Sequence, residues 1–525
     1  MKYNRNLLLI PISSLIAMNS CSIKVQKAKN ETYGKPKLNF LFIPVDDLRP
    51  ELGCYGDTNI KTPNIDRLAA QGVVFNRTYC QQAVCNPSRV SLLTGLRPDS
   101  TKVWDLKIHF RDIMPDVVTL PQYFKENGYT TVGFGKTFHN NDPDTISWSV
   151  VPEHIKGFPF DPDAFYANEE NLKIQEEKAK KLEKAGKQKD QLGYWYVKAN
   201  ATECADVPDD FYYDGAQTTR AIEIMRDLKS KKEPFFLSVG YYRPHLPFNA
   251  PQKYWDMYDR KKIPLAENQF PPKDSPNYAI HGDAELRGYS DSQDLPLPFE
   301  KSWSDEKQRK IKHGYYASVS YTDAQIGRLL DELNRLGLAE NTVIVLWGDN
   351  GWKLGEHNGW SKHTNYEIDT HIPMIISGAG VKAKGKHSQA LTEFVDIYPT
   401  LCEMANLPVP SYLQGTSVVP LLENPEKEWK SAAFSQYLLG RYRPSPYVKK
   451  EMMGYTMRTD RYRYVEWYDW NKDDTRGNLL SRELFDHDTD PQENQNLANQ
   501  TQYKEIVDML SHKLADGWRK AVPKK

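Results

Sequence analysis

Three groups of residues, scattered along the chain, could do chemistry together. The first is Cys85-Asn86-Pro87-Ser88-Arg89, followed by Leu93-Thr94-Gly95-Leu96-Arg97-Pro98. Residues 87–94 read as a helix, which sets Cys85 at its N-terminus, where free N–H groups and the helix dipole favour an anion. Arg89, one turn further on, can stabilise a nucleophile at position 85. The plainer reading of Cys85 is a buried structural thiol, since free Cys is among the most buried residue types. The second group is two pairs, Asp46-Asp47 and Asp349-Asn350. All four offer hard oxygen ligands of the kind calcium or magnesium takes, and no His or Cys stands among them to suggest zinc. One Asp at such a place is commonly a helix cap; two pairs beside a nucleophile point to a metal. The third group is cationic or titratable: Lys136 and His139 in Gly135-Lys136-Thr137-Phe138-His139, His245 in Arg243-Pro244-His245-Leu246-Pro247, and Lys362 after Trp360-Ser361. A lone His or Lys is usually structural or solvated, but each of these falls in a turn, where catalytic side chains are commonly mounted.

The elements that must position these groups alternate between strand and helix. Residues 38–45 form an apolar run rich in β-formers that ends abruptly in Asp46-Asp47, as a buried parallel strand would. Residues 342–347 repeat the pattern ahead of Asp349. In open α/β sheets the C-terminal edge of the strands is where ligands bind. Thr62-Pro63 before residues 64–71, and Thr119 before residues 120–127, carry helix-start punctuation, and Gly72 and Gly128 end those helices. Residues 212–229 and 307–336 read as helices feeding strands at 234–239 and 342–347, and 130–134 as a further strand. The Lys- and Glu-rich stretch 169–191 reads as a solvated helical insertion. From about residue 378 the texture changes to short strand-like runs, 455–457 and 462–467, before a C-terminal helix from Tyr503. The expected fold is α/β: a large doubly wound mixed sheet with helices on both faces, over 38–378, and a smaller α+β domain over 379–525 that contributes to the substrate pocket.

The pentapeptide at Cys85 with its following Leu-Thr-Gly-Leu-Arg-Pro stretch resembles the signature of the type I sulfatases, in which the Cys is oxidised to formylglycine. Further stretches carry the resemblance along nearly the whole chain: Asp46-Asp47-Leu48-Arg49-Pro50, Gln81-Gln82-Ala83-Val84-Cys85, Tyr316-Ala317-Ser318-Val319-Ser320-Tyr321, Leu354-Gly355-Glu356-His357 and Met457-Arg458-Thr459 with Tyr462-Arg463-Tyr464. They are similar to the iduronate-2-sulfatase branch, within the alkaline phosphatase superfamily. The resemblance implies an alkaline-phosphatase-like sheet and a sulfuric ester hydrolase acting on sulfated carbohydrate. It implies one calcium held by Asp46, Asp47, Asp349, Asn350 and formylglycine 85, with Arg89, Lys136 and Lys362 around it. A hydrated aldehyde offers two geminal hydroxyls, one to attack sulfur and one to expel the sulfate by losing its proton. His139 would take that proton, and His245 would protonate the leaving alcohol. A sulfate monoester has three non-bridging oxygens, which fixed Lys, Arg and metal charges neutralise in the transition state. Asn350 departs from the mammalian members, which have His there, but keeps an oxygen ligand. The branch suggests sulfate on or beside a uronate, in ulvan or a glycosaminoglycan. Trp104, His109, Trp352, His363 and Arg463 are candidates to read the sugar, each also readable as core or surface.

The remaining composition narrows the partners. Lys plus Arg and Asp plus Glu both total 69 in 525 residues, without a basic stripe, which argues against nucleic acid. Residues 1–21 read as an export signal: a charged start, an apolar run too short to span a bilayer, then Asn19-Ser20-Cys21. Cys21 suits the lipidated first residue of a bacterial lipoprotein, with plain cleavage as the alternative, and residues 22–37 read as a linker. The expected setting is the periplasm or a lipid anchor on a bacterial membrane, after modification of Cys85 by a formylglycine-generating or sulfatase-maturating enzyme. The six cysteines match no zinc framework, and their pairing cannot be read. Two other functions fit parts of the pattern. A phosphonate or phosphodiester hydrolase of the same superfamily can use a formylglycine, but its phosphatase relatives carry a His-rich second metal set that is not seen here. An inactive carbohydrate-binding protein would be expected to lose Cys85, Arg89 or a metal Asp, and all are kept.

Overall fold

The computed structural model describes residues 37–139, 143–152, 154–441 and 445–523. The export signal, Cys21 and most of the linker lie outside the described residues. Among those described, no helix is long and apolar enough to cross a membrane.

The strands in chain order are β1 Asn39–Val45, β2 Gly72–Tyr79, β3 Thr130–Gly135, β4 Thr202–Ala205, β5 Phe235–Gly240, β6 Phe248–Pro251, β7 Thr342–Gly348, β8 His371–Gly378, β9 Lys386–Ser388, β10 Thr392–Glu393, β11 Ala433–Leu439, β12 Met452–Arg458, β13 Tyr462–Trp470 and β14 Arg476–Asp486. The large sheet runs β10-β2-β8-β7-β1-β5-β3, with β9 alongside β2. β1, β3, β5 and β7 are mutually parallel. β8 runs against both β7 and β2, so β2 points the same way as that group. β9 and β10 run parallel to β2, so seven strands end on one edge of the sheet, and β8 begins there.

Alternation along β1 sorts the core into two layers. Leu41, Ile43 and Val45 pack with Ala221 and Met225 of the helix Tyr213–Lys231 and with Ile326 and Leu329 of the helix Asp305–Arg335. Phe40 and Phe42 face the other way, onto Leu92 and Leu93 of the helix Cys85–Thr94, Phe124 of Leu120–Glu126 and Leu401 of Ile397–Met404. A sheet buried on both faces needs strands that are nearly continuous apolar runs, and β1, β5 and β7 are such runs, broken only by Asn39, Ser238 and Thr342. The expected doubly wound mixed sheet is the observed one. Its membership runs past residue 378, because β9 and β10 join it; the second sheet, antiparallel β11-β12-β13-β14, starts at Ala433. One face of that sheet packs Val465 and Trp467 against Val84 and Tyr366, and the other packs Met457 and Tyr464 against the helix Lys504–Asp516. Cys54, Cys80, Cys85, Cys204 and Cys402 are free thiols.

Candidate functional site

Every sequence-predicted chemical group except the sugar readers comes from the sheet edge where the strands end. Asp46 and Asp47 follow β1, Lys136 follows β3, His245 follows β5, Asp349 and Asn350 follow β7, and Lys362 lies on the segment leading into β8. Cys85 follows β2 and opens its helix, which starts two residues earlier than expected: Val84 is extended and acts as the cap. Pro87 is then the third residue of the first turn, where its missing N–H would have had no intrahelical partner anyway.

The side chains of this centre are buried, except that of His139, which is half-buried. Cys85 Sγ lies 3.1 Å from Lys362 Nζ and 4.0 Å from Asp47 Oδ1. Lys362 also pairs with Asp47, and Lys136 with Asp46. Arg89 donates from Nε to Asp349 Oδ2 at 2.8 Å and from Nη2 to Asp46 Oδ1 at 3.2 Å, and its Nη1 donates to the Lys136 carbonyl. Ser88 Oγ donates to the Asp349 carbonyl at 2.5 Å, which ties the nucleophile's helix to the end of β7.

Burial would raise the Asp46 carboxyl, but Lys136, His245 and Arg89 hold it well below the usual range. For Asp47 burial wins and pushes it up, and Asp349 is pushed up to about 7 by burial and the neighbouring carboxylates, against Arg89. Burial among Asp349 and Asp46 likewise keeps the Cys85 thiol well above its ordinary value, so the unmodified side chain is a protonated thiol rather than a ready thiolate.

Ligand atoms of Asp46, Asp47, Cys85 and Asp349 lie within 4.8 Å of one another. Asp47 Oδ2 and Asn350 Oδ1 are buried acceptors without a hydrogen-bond partner, and the Asn350 Nδ2 donates to Asp47 Oδ1 at 2.7 Å. Orphaned acceptors and up-shifted carboxyls, in a set whose ligands other than Cys85 Sγ are all oxygens, fit a hard divalent cation.

The two histidines sit in opposite environments. Burial and Lys136 push His139 down to about 3, leaving a neutral imidazole. His245 is also buried, but Asp163 overrides this and lifts it to about 10. Its Nδ1 is 2.7 Å from the Leu246 carbonyl and 3.3 Å from Asp163 Oδ2, and its Nε2 is 3.0 Å from Glu285 Oε1 and 3.8 Å from Asp47 Oδ2.

Asp163 and Glu285 were missed in the sequence. Asp163 sits in a 3-10 turn and Glu285 in the four-residue helix Ala284–Arg287, irregular surroundings with no period to expose them. The one signal was the Asp161-Pro162-Asp163 turn itself.

The expected sugar readers fare differently. Trp104 and Trp352 are 2 % and 1 % exposed, the first edge-on to Trp470 and the second beneath Lys362 Nζ at 5.2 Å, so neither offers a ring face for stacking. Arg463 is 1 % exposed, and its guanidinium is locked between Glu367 and Glu493. His109 caps the helix Phe110–Ile113 by accepting from Arg111 N at 3.1 Å. His363, next to Lys362, is buried with φ +86° against His281, ring centroids 4.7 Å apart.

Comparison with known proteins places this geometry. The family model described as sulfatase matches residues 38–407, and one described as the C-terminal region of N-sulphoglucosamine sulphohydrolase matches residues 355–520. The chain is 34 % identical to human iduronate 2-sulfatase over 548 aligned residues, covering 90 % of this chain and 93 % of the relative. It is 33 % identical to a sulfatase of Formosa agariphila over 505 residues, covering 94 % and 89 %. Among solved structures, one in complex with its substrate D-glucosamine-2-N,6-O-disulfate aligns with a TM-score of 0.69 at 22 % identity, covering 92 % of this chain and 98 % of that one. A phosphonate monoester hydrolase from Silicibacter pomeroyi aligns with the same TM-score and identity, covering 93 % and 96 %, so at this level the likeness is one of fold.

Proposed function

The chain belongs to the sulfatase family and is a sulfuric ester hydrolase, and on that premise we propose that it removes sulfate from oligosaccharides of a uronate-containing sulfated polysaccharide, such as ulvan or a glycosaminoglycan. The observation that carries the proposal is the setting of Cys85: first turn of a buried helix, 3.1 Å from Lys362 Nζ, beside Asp46, Asp47 and Asp349. Conversion of Cys85 to formylglycine by a maturation enzyme would supply, as the hydrate, one hydroxyl to attack sulfur and a second to expel it. Calcium held by Asp46, Asp47, Asp349, Asn350 and position 85 would supply fixed positive charge beside the attacked ester.

The remaining steps use the chain's own groups. Lys136, Lys362 and Arg89 are placed to donate to the non-bridging sulfate oxygens and hold the sulfur at position 85. His245, held protonated by Asp163 and Glu285, gives the proton on Nε2 to the departing sugar oxygen. His139, held neutral by burial, takes up the proton released as sulfate leaves. Two titratable groups of one type pushed apart by environment make an acid and a base at a single pH. Iduronate in the name of the human relative supports a uronate-bearing substrate. The export signal read over residues 1–21 supports a polymeric substrate met outside the cell.

The test is sulfate release by matured full-length protein, with Cys85→Ala as control, across defined oligosaccharides from heparan, chondroitin, dermatan and ulvan, plus phosphoester analogues. Release from one sugar class, absent in the control and reversibly weakened by a calcium chelator, is the expected result. Faster turnover of the phosphoesters, with formylglycine verified at position 85 by mass spectrometry, would overturn it.

A further inference from the structure

A second cleft lies at the other end of the nucleophile's helix. The helix Cys85–Thr94 is ten residues long, so at ~1.5 Å per residue its two ends are ~15 Å apart. Beyond its C-terminal end, Arg97 closes one side of a cavity of about 510 Å³, within the usual size of ligand clefts. Tyr455, Tyr468 and Arg476 of the second sheet line it, together with Trp518 and Arg519 near the C-terminus. The two tyrosines stand on the sheet face that also carries Met457 and Tyr464, opposite the Val465 and Trp467 face that packs toward Val84. The cleft therefore shares no side chain with the buried centre at position 85.

Its chemistry is that of rings and guanidiniums. Arg519 lies 4.4 Å and Arg97 5.0 Å from the Trp518 ring centroid, and Arg476 lies 4.7 Å from that of Tyr468. The acids of the cleft are engaged within the protein. Asp99 accepts from Gln436 Nε2 at 2.9 Å and Tyr455 OH at 3.2 Å, and Glu466 accepts from the Tyr464 hydroxyl at 2.7 Å and from Ser511 at 2.7 Å. Arg97 gives both terminal nitrogens to Glu393, but its Nε is a buried donor with no hydrogen-bond partner, in a residue 7 % exposed. The open charges, Arg476 and Arg519, are therefore positive. Stacked guanidiniums match carboxylate or sulfate forks, and flat aromatic faces match the C–H faces of sugar rings.

We propose that this cleft binds a segment of an anionic, sulfated glycan chain at a distance from the catalytic centre, and so holds polymeric substrate on the enzyme between turnovers. This rests on the sulfated-carbohydrate reading of the active site. Tethering a chain at one site raises the effective concentration of its other sulfates at the second. Removing the open guanidiniums should therefore raise KM for a polymer and leave kcat on a small sulfate ester unchanged.

The experiment uses the full-length Cys85→Ala protein, which cannot turn over, with and without Arg476→Ala and Arg519→Ala together. Binding to heparin, N- and O-desulfated heparin, an uncharged glucan and single-stranded DNA is measured by titration calorimetry at 0.15 M salt. The expected result is roughly tenfold weaker heparin binding in the double variant, with an unchanged Tm because both side chains are exposed. Desulfated heparin should bind more weakly than heparin to the parent, and glucan and DNA should not compete. Equal heparin affinity with and without the two arginines would overturn the proposal, as would DNA binding as tight as heparin. A failure of the sulfatase reading would show separately, as no sulfate release from any small ester by matured protein whose cleft is intact.

Discussion

Asp163→Asn should move the basic limb of the pH–rate profile toward neutrality. Asp163 is the foremost group lifting His245 to about 10, and its Oδ2 lies 3.3 Å from Nδ1. The Leu246 carbonyl, 2.7 Å from the same nitrogen, remains in the variant and keeps the ring oriented. Glu285 and Asp47 also remain on the Nε2 side, at 3.0 Å and 3.8 Å. Losing one of these carboxylates, where an opposite charge within ~4–6 Å is worth ~1–3 pH units, should bring the limb down by about two. The sign follows from the role: an acid works only while protonated, so the wild type loses activity as pH rises through His245's folded value and the variant loses it sooner. At pH 9 the protonated fraction would fall from about 90 % to about 10 %, roughly a ninefold drop in kcat/KM, while at pH 6 the two proteins should match. The assay is kcat/KM on a small sulfate ester from pH 5 to 10. Tm is followed in parallel, because the neutral amide in the variant would no longer balance Arg243, now paired with Asp163 at 3.2 Å. An unmoved basic limb, or a loss equal at every pH, would refute the assignment of His245 as an acid held charged by Asp163.

Two further substitutions test the scaffold. Glu356 accepts from Arg49 Nη2 at 2.8 Å; burial would raise its carboxyl, but Arg49 brings it down to about 2. Because the folded value lies below the unfolded 4.5, the pair's contribution, up to about 3 kcal/mol, is fully present above that pH and is lost as pH falls toward 2. Glu356→Gln should therefore cost about that much at pH 7 and little near pH 2 in urea unfolding; an equal loss at both would point to lost packing. Arg463→Met removes the cation shared by half-buried Glu367 and buried Glu493, which keep Arg458 and His487 as partners, so it should cost ~1–3 kcal/mol yet leave KM of the folded fraction unchanged. A raised KM at unchanged stability would restore Arg463 as a sugar reader.

The frame of the molecule was legible because parallel strands of an α/β sheet announce themselves as continuous apolar runs, and β1 and β7 each stop at an Asp. That pattern, with the motif at Cys85, gave the edge on which chemistry is mounted and the groups on it. Residues whose work depends on what they face were less legible. Arg463 looked like a ligand-binding cation because its two glutamates come from positions 96 residues before and 30 after it. Trp104 and Trp352 looked like stacking platforms because composition does not separate a buried ring from an open one. Asp163 and Glu285 carried no period and no motif, and only the folded chain brings them to opposite nitrogens of one imidazole. The positions sequence could read were those fixed by backbone geometry; those it could not read were fixed by long-range pairing.

That pairing also explains why the centre can be assembled from so many charges. Asp46, Asp47 and Asp349 face Arg89, Lys136 and Lys362, three carboxylates against three cations, and all six are buried. A buried set of equal and opposite charges, each hydrogen-bonded, avoids the penalty of an isolated ion. The balance is not even, since Lys136 and Arg89 both fall on Asp46 while Asp47 and Asp349 stay raised. A divalent cation on the under-neutralised side would lower those two carboxyls and leave the pocket with a net charge of about +2, apart from His245 and its acids. A buried site with that surplus discriminates against neutral ligands and accepts an anionic ester, whose single negative charge lowers the surplus to about +1. On the proposed mechanism Lys362 would change partners, from the Asp47 carboxylate to an ester oxygen, without leaving its position 3.1 Å from Cys85. Preorganisation here is a matter of charges that are already paired and need only a small rearrangement when the substrate arrives.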